Sequence, residues 1–134
     1  ATIDGRKFYN DSKGTNPDST ICAIESMVVP THLIAGGYDK DSDYQPMFDV
    51  FGDKIKTLIL LGATREKIAE VAKANHYSDY VFVDSMEEAV AVAVERSKEG
   101  DAILLSPACA SWGMYENFEK RGEHFKSIVM NLKK

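Results

Sequence analysis

Apolar positions along the 134-residue chain follow two alternating patterns. Uninterrupted runs at Thr57 to Leu61 and Ala102 to Leu105 suit strands buried on both faces, as in a parallel sheet. His32 to Ala35 and Tyr80 to Val83 are shorter runs of the same kind. Between them, apolar residues recur at helical spacing. They are Ile21, Ile24, Met27 and Val28; then Ile68, Val71 and Ala72; then Ala89, Val90, Ala93 and Val94; and last Phe118, Phe125 and Val129. Tyr44 to Phe51 reads as a short helix with Pro46 in its first turn. The start predicts two extended pieces about an Asp4-Gly5 turn, with Lys7 and Tyr9 facing one way and Phe8 the other. So short a first arm looks cut from something longer.

Helix boundaries support this division. Asn16-Pro17 offers an N-cap followed by proline at the first helical position, with Asp18 near the positive helix end. Thr64 stands where it would cap the next helix, which runs to about Ala74. Ser85-Met86-Glu87-Glu88 is a capping-box signature, and Gly100 ends the helix it opens. Strand then helix occurs five times. That alternation predicts one α/β domain over residues 1–134. Its sheet is open and mostly parallel, of about six strands, with helices on both faces in three layers.

Composition narrows the function classes. A formal net charge of −5 argues against a general binder of nucleic acid or membrane surface. No apolar run is as long as a membrane span. Cys22 and Cys109 match no metal or redox spacing, so reduced thiols are expected, with Cys109 a small packed one. His32, His76 and His124 lack metal-ligand spacing and read as solvated or packed. Asp39, Asp41 and Asp43 lack the Gly and distant Glu of a calcium loop and read as solvated. No metal site is expected.

In open α/β sheets, ligands bind beyond the C-terminal ends of the strands. Three loops at that edge carry chemistry. Asn10 to Thr15 reads on spacing alone as a solvated loop; the sharper alternative presents Asp11, Lys13 and Thr15 to a ligand. Gly36-Gly37-Tyr38-Asp39-Lys40 reads either as a flexible turn or as a glycine pair that approaches a ligand while Lys40 supplies a cation. Ser106 to Ser111 offers small residues, a hydroxyl and free N–H groups at a helix start. Lys13 and Lys40 on one edge describe an anion site for a carboxylate or phosphate. Phe118 is divided between core and lid roles.

NDSKGTNPDST, the GGYDK loop and SPACASWGMYENFEKRG together resemble the C-terminal domain of the Mur ligases, in the family's order and over essentially the whole chain. The last motif is similar to that of the D-glutamate-adding branch. The resemblance implies a Rossmann-like fold and a role in an ATP-dependent ligase. That enzyme joins D-glutamate to UDP-N-acetylmuramoyl-L-alanine through an acyl phosphate, in the cytoplasm, during peptidoglycan synthesis. It implies that Thr15, Lys40, Ser111, Phe118 and the Trp112 backbone contact D-glutamate. Asn10 and Asp11 match nucleotide-contacting positions, Asp11 at the ribose, and Lys13 a catalytic lysine facing the reacting groups. ATP and Mg²⁺ would be held mainly by a central domain, and a monomer is expected, with neither nucleic acid nor membrane as partner.

Tyr38 and Gly113 stand where family members often carry acids, and the chain has no GxxxxGK[ST] loop, central ATPase domain or UDP-binding domain. An excised domain, inactive alone, is therefore expected. The rival reading is a stand-alone α/β module that binds an anion or a regulatory partner. A receiver domain would need an acidic pair after the first long strand and an Asp at the third; Asp11 alone and Gly62-Ala63-Thr64 stand there. A folylpolyglutamate synthetase-like ligase would also add glutamate but fits the last motif less well.

Overall fold

A computed structural model describes residues 2–3, 5–13, 15–38, 42–111 and 114–132. Among these residues six strands form one sheet: β1 (Thr2–Ile3), β2 (Arg6–Asn10), β3 (Thr31–Ala35), β4 (Ile55–Leu60), β5 (Tyr80–Phe82) and β6 (Ala102–Leu105). Their order is β1-β2-β6-β3-β4-β5, and only the β1–β2 pair is antiparallel. The tight hairpin at the start is present, with Ile3 opposite Arg6. Phe8 is buried while Lys7 and Tyr9 are exposed, as the alternation predicts.

Among the described residues five helices alternate with the strands: α1 (Pro17–Ser26), α2 (Gln45–Asp49), α3 (Arg65–Ala74), α4 (Met86–Arg96) and α5 (Phe118–Asn131). Two apolar clusters show which face each helix covers. Ile24 of α1, Met47 and Phe48 of α2, and Ile68 and Ala72 of α3 pack with Leu33, Leu58 and Leu104. Ala89, Val90 and Ala93 of α4 and Phe125 and Val129 of α5 pack with Ile34, Ile59 and Ile103. Neighbouring residues of a strand face opposite sides, so Leu33 and Ile34 enter different cores. This is the three-layer α/β arrangement, and it explains why β3 and β6 are buried throughout.

Caps behave largely as expected. Asn16 accepts from the Ser19 N–H at 3.0 Å and Ser85 from the Glu88 N–H at 3.1 Å. The Glu88 carboxylate reaches the Asp84 N–H at 3.2 Å, one residue before the cap, so the box is not closed on Ser85 itself. Thr64 departs from expectation: it stands at the N-cap of α3, but its hydroxyl makes no capping bond. It accepts instead from the Gly37 N–H at 3.0 Å, because the chain after β3 passes directly over it. Val28 also departs. It lies beyond the end of α1 and is 91% exposed, since a helix stopped at Ser26 leaves it on no packed face.

The buried histidine expected as one possibility is found at the N-terminal ends of the strands. His32 Nε2 lies 2.9 Å from Asp101 Oδ2, and Nδ1 lies 2.9 Å from Thr57 Oγ1. Asp101 also accepts from the Lys98 N–H at 3.0 Å. Burial opposes ionisation of this carboxyl, but the bonds from His32 and Lys98 outweigh it and hold the Asp101 pKa below its ordinary value. The fold thus favours the carboxylate. Its contribution to stability is complete above the ordinary carboxylate range and is lost as pH falls through the lowered value. Asp101→Asn should therefore lower the melting temperature at neutral pH and flatten the acid limb below about pH 4. Thermal melts across that range check this, and an unchanged acid limb would assign the acid sensitivity to other groups.

Candidate functional site

The strand order brings together loops that are far apart in sequence. β6 lies between β2 and β3, and the three are parallel. Asn10 pairs with Leu105, and Leu105 pairs with Ile34, so the C-terminal ends are level. The segments that follow β2, β6 and β3 therefore start side by side on one rim. The helices after β2 and β6 depart to opposite faces, which is the switch-point geometry that opens a crevice in this class of sheet.

The first loop is braced from within and from behind. Asn10 Oδ1 accepts from the Ser12 N–H at 3.1 Å, an Asx turn, while Asn10 Nδ2 donates to the Gly122 carbonyl at 3.3 Å. The Ser12 hydroxyl donates to the Phe118 carbonyl at 2.7 Å. Asp11 Oδ2 accepts from the Ser106 hydroxyl at 2.7 Å, which ties the end of β2 to the end of β6 and orients the carboxylate. Lys13 is exposed and Thr15 half-buried, with the Thr15 N–H donating to the Lys13 carbonyl at 2.8 Å. A cleft of about 290 Å³ opens beside this loop, lined by Asn10, Lys13, Phe118, Glu119, Glu123 and Lys126 among others.

The loop after β3 is locked to its neighbours by backbone contacts. The Gly36 N–H donates to the Pro107 carbonyl at 2.9 Å and the Tyr38 N–H to the Ala110 carbonyl at 2.8 Å. A Cβ on Gly36 would stand 2.0 Å from the Leu61 carbonyl oxygen, and one on Gly37 would stand 2.5 Å from that of Ala110. The glycine pair thus serves close approach, as expected, but to the chain's own backbone. Cys109 is buried, its sulfur 3.2 Å from the Tyr44 hydroxyl and 3.3 Å from that of Thr64, which makes it the packed thiol expected. Ser111 is buried as well. It does not stand at a helix start: α5 begins at Phe118, and the Ser111 carbonyl accepts from the Met114 and Tyr115 N–H groups in a turn.

One residue joins these loops, and the sequence reading assigned it no role. Arg121 is 3% exposed. Its Nε donates to the Ser12 hydroxyl at 3.0 Å, Nη2 to the Ser12 carbonyl at 2.6 Å, and Nη1 to the Cys109 carbonyl at 3.0 Å. Burial pushes its pKa down to about 10, so it still carries its charge at neutral pH. The next residue, Gly122, lies so close to the first loop that a Cβ would stand 3.0 Å from Asn10 Nδ2 and 3.1 Å from Ser12 Cβ. The signal for Arg121 was its spacing: three residues after Phe118 and four before Phe125, on the apolar stripe of α5.

Of the residues singled out from sequence, Asn10, Asp11, Lys13, Thr15, Ser111 and Phe118 all lie on this rim. Phe118 is 38% exposed at the first turn of α5, in the cleft with Lys13. Lys40 and Trp112 lie outside the described residues, as do Gly113, Asp39 and Asp41. Among the described residues no group of three or more His, Cys, Asp or Glu side chains could hold a metal, and no helix is long and apolar enough to cross a membrane. Removing the guanidinium tests the rim's construction. Arg121→Met removes the guanidinium's donors to the Ser12 and Cys109 carbonyls from a buried site and should cost about 3 kcal/mol or more. Arg121→Lys should recover little, since an ammonium cannot span the same acceptors. Chemical denaturation and amide exchange at Ser12 and Cys109 read this out; a loss under about 0.5 kcal/mol, the size of an ordinary surface change, would remove the joining role.

Comparison with known proteins identifies the family and the fold. The family described as Mur ligase, glutamate ligase domain, matches residues 1–109. The chain is 51% identical over 132 residues to the UDP-N-acetylmuramoylalanine--D-glutamate ligase of Lachnospira eligens, which covers 98% of this chain and 29% of that protein. It is 52% identical to the ligase of the same name from Caldanaerobacter subterraneus subsp. tengcongensis, with 100% of this chain and 30% of that protein covered. It therefore spans about three-tenths of the length of these relatives. In fold it is similar to a crystallised domain described as coming from a UDP-N-acetylmuramate:L-alanyl-gamma-D-glutamyl-medo-diaminopimelate ligase of Haemophilus ducreyi. The TM-score is 0.63 at 14% identity, with 98% of this chain and 92% of that one covered. The chain belongs to the Mur ligase, glutamate ligase domain family.

Proposed function

We propose that this chain is the C-terminal, amino-acid-binding domain of a ligase that adds D-glutamate to UDP-N-acetylmuramoyl-L-alanine in the cytoplasm. The observation that carries the reading is the convergence of the loops after β2, β3 and β6 on one rim braced by a buried cation. The relatives' names supply the substrate class. In the reaction, the γ-phosphoryl of ATP passes to the substrate carboxylate, leaving ADP and an acyl phosphate. The amine of D-glutamate attacks the acyl carbon, loses its extra proton, and phosphate leaves from the tetrahedral intermediate as the amide forms.

Each rim residue has a part in this reading. Lys40 supplies charge for a glutamate carboxylate, and the Ser111 and Thr15 hydroxyls and the Trp112 backbone supply fixed donors. Phe118 covers the aliphatic part of the amino acid. Lys13 faces the acyl phosphate as it forms, where a cation is worth most in a water-poor site. The Asp11 carboxylate, oriented by the Ser106 hydroxyl, accepts from a ribose hydroxyl, with Asn10 beside it. ATP and Mg²⁺ belong mainly to a central domain elsewhere in the whole ligase, which works as a monomer. A site shared between domains offers this chain only part of its contacts, so by itself the chain binds D-glutamate weakly and does not turn over.

In the full-length ligase, Lys40→Ala and Ser111→Ala should each lower D-glutamate-dependent phosphate release by about a hundredfold with the fold intact by circular dichroism. Unchanged rates would remove the assigned roles. NMR titration of this chain with D-glutamate should give binding no tighter than roughly millimolar. Tight, D-specific binding, or ligation by this chain alone, would contradict the shared-site reading.

A further inference from the structure

A second hydrogen-bonded chain reaches the rim from the side away from the first loop. Tyr115 lies between Ser111 and Phe118, the two described residues after β6 to which the proposed function assigns substrate contacts. Its N–H donates to the Ser111 carbonyl at 2.9 Å, and its ring, half-buried, packs on the core beneath α4 and α5. Its hydroxyl lies 2.5 Å from Nδ1 of His124, nine residues later and within α5. His124 Nε2 in turn lies 3.1 Å from Oε2 of Glu87, in the first turn of α4.

The chemistry of the last partner orders the whole series. A carboxylate only accepts, so His124 Nε2 carries the proton it donates to Glu87. In the neutral imidazole, Nδ1 is then an acceptor, and the Tyr115 hydroxyl must be the donor. Both ends are in the required state. The Glu87 carboxyl is held below its ordinary range by its backbone N–H and by His124, so it is ionised. Burial, and then the charge of Glu87, raise the Tyr115 phenol, which keeps its proton. The same logic that fixes the tautomer of a histidine held by a carboxylate applies here without a metal or a nucleophile.

We propose that Tyr115, His124 and Glu87 form a positioning relay that sets Ser111 and Phe118 against α4 and α5. None of the three touches substrate in this reading; they act through the placement of Ser111 and Phe118. The inference rests on the roles given to those two residues under the proposed function. The relay differs from the Arg121 brace in what it holds. Arg121 fastens Cys109 and the first loop from below, whereas the relay fixes the middle of the connection to α5 by a side chain. It also makes α4, which contributes nothing else to the rim described above, part of the site's support.

Two measurements test it separately from the function. In this chain, imidazole nitrogen spectra should show His124 as the Nε2–H tautomer. Tyr115→Phe, which removes one oxygen and keeps the ring, should shift His124 Nδ1 and move the amide signals of Ser111 and Phe118. In the full-length ligase, Tyr115→Phe and His124→Ala should each raise KM for D-glutamate about tenfold, while KM for ATP stays within about twofold. The double variant should be no worse than the more affected single one, because both cut one connection. Amide signals of Ser111 and Phe118 that ignore Tyr115→Phe would overturn the relay, as would an unchanged KM in an otherwise active ligase. Moved signals in a protein that does not use D-glutamate would keep the relay and reject the functional reading instead.

Discussion

The rim depends on a buried guanidinium that, among the described residues, has no carboxylate acceptor. Among the described residues, Arg121's hydrogen bonds go to neutral oxygens, two on Ser12 and one on Cys109. Taking a cation out of water is expensive, and the lowered pKa records that expense. What the arrangement gains is geometry: a planar fork with fixed angles holds two loops that share no sequence proximity. It also leaves positive charge under the rim unneutralised by its partners, and such a fixed field favours an anion above it. A buried charge that only stabilised the fold would be better matched by an ion pair or replaced by a packed apolar side chain.

That brace works because the sheet delivers its strands level. The register aligns Asn10, Leu105 and Ile34, so the chain leaves β2, β6 and β3 at the same height. Glycine then allows the loops to lie closer than side chains would permit. Gly36 and Gly37 sit against the Leu61 and Ala110 carbonyls, and Gly122 brings α5 against Asn10 and Ser12. The opposite end of the sheet solves a different problem. There Thr57, His32 and Asp101 satisfy one another in a buried row, so polar groups at the strand entrances carry no orphaned donors or acceptors.

The elements and their faces were legible because they follow from local periodicity. The runs at Thr57 to Leu61 and Ala102 to Leu105 became central strands, and the stripes through Ile24, Ile68, Val90 and Phe125 became the buried faces of helices. Where local reading failed, a tertiary neighbour had intervened. Thr64 gave up its capping bond to receive the Gly37 N–H. Small residues followed by a helical pattern suggest a helix start at Ser111, but α5 begins only at Phe118, and the Ser111 carbonyl instead accepts from the Met114 and Tyr115 N–H groups.

By itself the sequence determined the class of fold, the alternation of strand and helix, and the motifs that mark the family, since these are written in neighbours along the chain. It also put Lys13, Thr15 and Asp11 in one loop. Only the tertiary structure decided that β6 inserts between β2 and β3, because strand order is set by where helices of both faces can pack, and periodicity carries no record of that. The same is true of Arg121 and His124. Each looks like an ordinary polar residue of a helix until the fold brings its partners, from more than a hundred residues away for Ser12 and from another helix for Glu87, within hydrogen-bond reach.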